Sequence, residues 1–91
     1  MSDERLKTDL EPISGALAKL GALRAVTGRY KTDQEWRSRS FLIAQDVQPV
    51  FPQAVTQDTR GILGLKYDKM IPLLVAGINE LSARVAQLEA A

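Results

Sequence analysis

The 91-residue chain contains no cysteine and no histidine. Those two absences exclude disulfides, thiol nucleophiles, thiolate and imidazole metal sites and the Ser-His-Asp arrangement, and they leave the redox compartment open. Aromatic residues are few: Tyr30, Trp36, Phe41, Phe51 and Tyr67. A chain this short forms one small domain at most and hides only about two-thirds of its unfolded surface, so its core is modest. Self-association is therefore expected as a second source of burial. Charge of one sign is also lacking. The net value is +1 with both signs interspersed, whereas a nucleic-acid surface gathers basic residues on one face. No apolar run approaches the roughly 20 residues of a membrane span, and the charged start is not a signal peptide. A soluble chain is expected.

Hydrophobic spacing then organises the chain. In residues 10–26, Leu10, Ile13, Leu17, Leu20 and Leu23 recur at intervals of 3 and 4, which predicts a short amphipathic helix with Pro12 in its first turn and Gly21 at its end. The stretch "RAVTGRYK" (24–31) reads as a strand, and the polar "TDQEWRSRS" (32–40) as a hairpin or exposed loop. Trp36 is expected to be pinned against a neighbour, because a lone tryptophan rarely stays fully exposed. Phe41 to Ala44 reads as a short buried strand leading into one or two helical turns, limited by Pro49 and Pro52. "TQDTRG" (56–61) reads as a loop and "ILGLKYD" (62–68) as a further strand.

The C-terminal segment carries the clearest pattern. Ile71, Leu74, Ile78, Leu81, Val85 and Leu88 follow one another at 3, 4, 3, 4 and 3, the a and d positions of three heptads. Asp68 is the expected N-cap and Pro72 falls in the first turn. Gly77 lies off the seam and weakens the helix slightly. Such spacing also arises when a helix packs on its own domain, but the seam is narrow and little else remains for it to cover. A self-associating coiled coil is the stronger expectation. β-branched residues at a with leucine at d point to two strands.

With histidine and cysteine absent, serine with lysine is the only familiar nucleophile–base pair open to this chain. Lysine acts as a base only when neutral. At its ordinary pKa roughly one lysine in 2,500 is neutral at pH 7, so burial or a neighbouring cation must lower that value. "SDERLK" (2–7) sets Ser2 five residues ahead of Lys7. Five residues apart, two side chains point about 140° away from each other on a helix and to opposite faces on a strand. They meet only through a turn or across two subunits. Taken alone the stretch reads as a solvated tail.

Several segments taken in order resemble one family: the intramolecular chaperone, auto-processing domain of endosialidase type found at the end of phage tailspikes and tail fibres. Its members begin "SD-x-R-L-K", continue with "PI" and a leucine-rich helix, then a "pVtf-x-W" strand, an "IGFIAQEV…VFPE-V" segment and a "YDKLIPLLVEAIKEL" helix. The counterparts are SDERLK (2–7), EPISGALAKLGALRAVTGRYK (11–31), FLIAQDVQPVFPQAV (41–55) and LKYDKMIPLLVAGINEL (65–81). Three departures stand out: the usual glycine before the apolar "FIAQ" run is replaced, the local sequence being Ser40-Phe41-Leu42-Ile43; Asp46 replaces glutamate; and Gly28 stands where the strand has an aromatic.

The resemblance implies an α+β fold: a small chaperone core over 1–67 with the cleavage-site segment at its start, then a C-terminal helix over 68–91 in a parallel trimeric coiled coil. The trimer it implies displaces the dimer that the a/d rule suggests. It implies a domain that helps three fibre or spike chains fold, then cuts itself away just before Ser2. In that reading Ser2 is the nucleophile, Lys7 the general base, and Asp3 and Arg5 are supporting. Partners are two further copies and the upstream fibre chain; no cofactor, metal, nucleic acid or membrane is implied. Met1 directly precedes Ser2, so the chain is expected to be the released product, or to have been made to begin at the cut. The setting implied is the host cytoplasm during virion assembly, with the fragment absent from the mature virion. The alternative from the residues is a non-catalytic oligomerisation module whose Ser2 and Lys7 are tail residues. An enzyme acting on a separate substrate has almost no support.

Overall fold

Only seven of the 91 residues are buried, and the way they are gathered explains the architecture. The computed structural model describes residues 1–91. Three helices, α1 (Ala16–Gly21), α2 (Ala44–Val47) and α3 (Ile71–Ala90), alternate with two separate two-stranded sheets. β1 (Ala25–Gly28) pairs antiparallel with β2 (Arg39–Leu42), matching Val26 with Phe41. β3 (Val55–Gln57) pairs antiparallel with β4 (Leu63–Leu65), matching Thr56 with Gly64. The core is Ala16, Val47, Phe51, Ala54, Met70 and Leu73. It draws on α1, α2, α3 and the two 3-10 turns Pro52–Ala54 and Tyr67–Met70, while the hairpins lie at its margin.

The first helix is shorter than its spacing predicts. Leu10 and Ile13 precede it, and α1 begins only at Ala16. Pro12 biases the residue before it toward extended backbone, and Gly15 takes a left-handed φ of 66°, so the chain is non-helical up to that point. Gly21 does end the helix. Gly15 has no side chain to cap α1, and the cap comes from far along the chain: the Leu17 N–H donates to Glu80 Oε2 at 3.3 Å. That bond joins α1 to α3.

The middle of the chain follows the expected order with shifted edges. β2 starts at Arg39 inside the polar stretch and is only partly covered, not buried. Trp36 is pinned, with the Arg29 guanidinium 4.1 Å from its ring centroid, yet it stays 67% exposed at a positive φ of 57°. It contributes nothing to the core. The ring of Phe41 lies beside Gly28 and meets Tyr30 edge-on at 5.1 Å, so the missing aromatic is replaced from the opposite strand. Asp46 accepts from the Arg24 backbone N–H at 3.2 Å and from its guanidinium Nε at 2.9 Å. This ties the end of the α1 connection to α2.

The loop reading of 56–61 is corrected. Thr56 and Gln57 belong to β3, and the true loop is set by Asp58, which accepts from the backbone N–H groups of Arg60 at 2.8 Å and Ile62 at 3.0 Å. A three-residue strand is too short to show a period of two. Asp68 is not the N-cap of α3 either. It sits within the Tyr67–Met70 turn, and Met70 leads into the helix without a side-chain cap. Pro72 falls in the first turn, as expected.

Two faces of α3 have different fates. Leu73 and Gly77 are buried against the domain. A Cβ at Gly77 would overlap the Leu20 side chain, so this glycine's lost helix propensity is offset by the close approach of α1. The six a/d residues, by contrast, are 43% to 77% exposed. The helix meets its own core with a different stripe from the heptad seam. Every residue from Leu81 onward is exposed, so the last half of α3 projects about 15 Å beyond the core at 1.5 Å per residue.

The molecule is accordingly extended, 52 × 37 × 22 Å with a radius of gyration of 16.6 Å. A compact chain of this length has a radius of about 12 Å. Its surface is 7478 Å², against about 5,200 Å² for a compact chain of this mass. No helix is long and apolar enough to cross a membrane.

Candidate processing site and assembly face

The polar N-terminal stretch is folded. Residues Glu4–Leu6 form a 3-10 turn, with the Leu6 N–H donating to the Asp3 carbonyl at 3.1 Å and the Lys7 N–H to the Glu4 carbonyl at 3.0 Å. Asp3 caps the turn: its Oδ1 accepts from the Arg5 N–H at 2.9 Å. The Arg5 guanidinium closes on the same carboxylate, Nη2 to Oδ2 at 2.7 Å. Arg5's side-chain bonds, then its backbone N–H, hold the Asp3 carboxyl below the usual carboxylate range, and Asp3 in turn raises the guanidinium.

This turn brings residues 2 and 7 together. Lys7 Nζ donates to Ser2 Oγ at 2.9 Å. The two predicted dyad residues are therefore in contact within one chain, by the turn rather than across subunits. All six residues of the stretch are exposed. An ammonium donating to a hydroxyl oxygen draws electron density from it, whereas a general base must be neutral and accept the serine proton. The contact supplies the distance for proton transfer. Both side chains stand open to water in the single chain.

The chain matches the model of a peptidase family described as the chaperone of endosialidase, over residues 2–56. That is more than half its length. The chain belongs to the chaperone of endosialidase family.

Among curated proteins it is similar to the long tail fiber protein Gp37 of Enterobacteria phage K3, 38% identical over 97% of this chain and 8% of that protein. The corresponding protein of Enterobacteria phage T2 is also 38% identical over 97% of the chain and 7% of its own length. That of Escherichia phage AR1 is 37% identical over 87% of the chain and 8% of its length. The chain thus spans less than a tenth of these relatives. The matched segment of this chaperone of endosialidase domain includes both Ser2 and Lys7, the pair in contact.

The six seam residues form the second candidate feature. All are exposed and lie on one side of α3, away from the stripe that packs on the core. Asp3 and Arg5, expected as supporting residues, pair with each other and shape the turn. Sequence reasoning missed Glu80, which caps α1, and Tyr67, whose hydroxyl accepts from the Leu42 N–H at 3.0 Å. Neither bond has a sequence signal, since each joins residues far apart. The Asp58 loop did have one: it repeats the Asp-x-Arg triplet of residues 3–5. No group of acidic residues is placed to hold a metal ion.

Proposed function

We propose that this domain is an intramolecular chaperone of a phage tail fibre which assembles as a parallel trimer through α3 and is released by cutting its own chain before Ser2. The observation that carries the reading is the 2.9 Å contact between Lys7 Nζ and Ser2 Oγ, two residues within the matched family segment. The exposed seam and the surface beyond that of a compact monomer support assembly. That excess, about 2,200 Å², is more than the roughly 800 Å² per partner of a standard interface. Burial of the N-terminal turn by neighbouring chains or by the upstream fibre would strip water from Lys7 and favour its neutral form.

In the proposed reaction neutral Lys7 takes the proton of Ser2 Oγ, which attacks the carbonyl carbon of the preceding residue. The C–N bond breaks, the proton passes to the departing amino group of Ser2, and an ester remains. Water hydrolyses the ester, leaving the upstream chain with a carboxylate and Ser2 with a free amine. The exposure of Ser2 and Lys7 in the single chain favours the other reading, a non-catalytic oligomerisation module. The two are separated by restoring an upstream fibre segment and expressing wild type, Ser2→Ala and Lys7→Ala. Only wild type is expected to split; three uncut full-length proteins would refute self-processing.

A further inference from the structure

The turn that joins Ser2 to Lys7 depends on a device that occurs twice in the chain. At residues 58–60 an Asp-x-Arg triplet closes the β3–β4 loop. The Arg60 N–H donates to Asp58 Oδ1 at 2.8 Å, and its guanidinium Nη2 to Asp58 Oδ2 at 2.8 Å. At residues 3–5 the same two bonds measure 2.9 and 2.7 Å. In the β3–β4 loop the triplet only shapes backbone: the carboxylate fixes the N–H two residues on, as aspartate does in such turns, and the guanidinium fixes the carboxylate. The residues of the first triplet do the same, with a different consequence. Without the turn, residues 2 and 7 diverge on either regular backbone. With it they are in hydrogen-bond contact.

We infer that Asp3 is the positioning residue of the Ser2–Lys7 pair: by capping the Glu4–Leu6 turn through the Arg5 N–H, it closes the nucleophile onto its base. Asp3 takes no proton from either and does not reach the bond to be cut. Its essential contribution is an acceptor oxygen at the cap. The exposed ion pair with Arg5 (side chains 89% and 44% accessible) is secondary, because such pairs are weak in water. Asparagine keeps that acceptor and caps as well as aspartate, whereas alanine removes it.

The inference rests on the self-processing reading, so it is tested by two measurements. In the 91-residue chain, nuclear Overhauser contacts between the Ser2 and Lys7 side chains are recorded for wild type, Asp3→Ala and Asp3→Asn. In the protein carrying its upstream segment, the cleavage rate is followed for the same three and for Arg5→Ala. Asp3→Ala is expected to lose the contacts and slow cleavage about tenfold, the scale of a lost cap. Asp3→Asn should restore the contacts and come within about twofold of wild type, and Arg5→Ala within about threefold. Contacts that persist in Asp3→Ala would overturn the inference. So would an Asp3→Asn protein as slow as Asp3→Ala, since that would make the charge, not the cap, the requirement. If wild type fails to cleave, the self-processing reading falls, and the contact measurement alone decides whether Asp3 positions the pair.

Discussion

At the scale of single residues, aspartate side chains fix several of this chain's irregular stretches. Asp3, Asp46 and Asp58 each accept from an arginine two residues away or across the fold. The Arg24 side chain holds the Asp46 carboxyl below its ordinary value of 3.8, opposed by burial. A carboxyl depressed in the folded state adds stability that is present above its unfolded value and is lost as pH falls through the folded one. Wild type should therefore lose stability below about pH 4. Asp46→Asn should unfold more easily at pH 7, and its urea midpoint should fall less steeply from pH 4 to pH 2. A variant with the unchanged wild-type slope would show that the Arg24 pair contributes nothing. A serine–lysine pair was legible as a type, by elimination of histidine and cysteine, and its positions came from the family resemblance, but the contact between Ser2 and Lys7 was not legible. It needs a turn whose signal, Asp-x-Arg, is short and also serves a plain hairpin loop.

At the scale of elements, α3 has one face packed on the core and one open to water, and neighbouring residues separate them. Leu73 is fully buried in the core, whereas Leu74 is 43% exposed on the seam. Leu73→Ala should lower the urea midpoint at every protein concentration, by a loss of about 3 kcal/mol, within the range for a buried leucine. Leu74→Ala should leave the most dilute sample near wild type and remove the rise of the midpoint with concentration that assembly produces. Equal effects of the two would contradict the separation of faces. The heptad was legible because six positions repeat without interruption. Its relation to the core was not, because the stripe that packs inward contains a glycine, Gly77, and a glutamate, Glu80. Neither reads as a core residue. β3 was missed for a related reason: three residues carry no period, and pairing with β4 is what makes Val55–Gln57 a strand.

For the whole molecule, the central fact is the mismatch between chain length and surface. Six apolar residues form the entire hydrophobic core, while an apolar seam along α3 stays open to water. A chain of this shape has apolar surface left for partners, and the seam supplies a continuous stripe of it. Light scattering of the 91-residue chain should give about three times the 10.0 kDa chain mass, and Ile78→Asp with Leu81→Asp should reduce it to a single chain. An unchanged mass in the double variant would refute assembly through α3. The α+β class and the order of the elements other than β3 were readable because they follow from spacing and from the order of motif segments. The extended shape was not, since it depends on which face of α3 the domain uses.

The most direct measurement is the intact mass of the protein expressed behind an upstream fibre segment, for wild type and for Lys7→Arg. Arginine keeps a donor and a positive charge beside Ser2 but does not lose its proton. Wild type is predicted to yield two species, one with the mass of residues 2–91, and Lys7→Arg a single uncut chain. A wild type that stays whole, or a Lys7→Arg protein cut before Ser2 at the wild-type rate, would contradict the account.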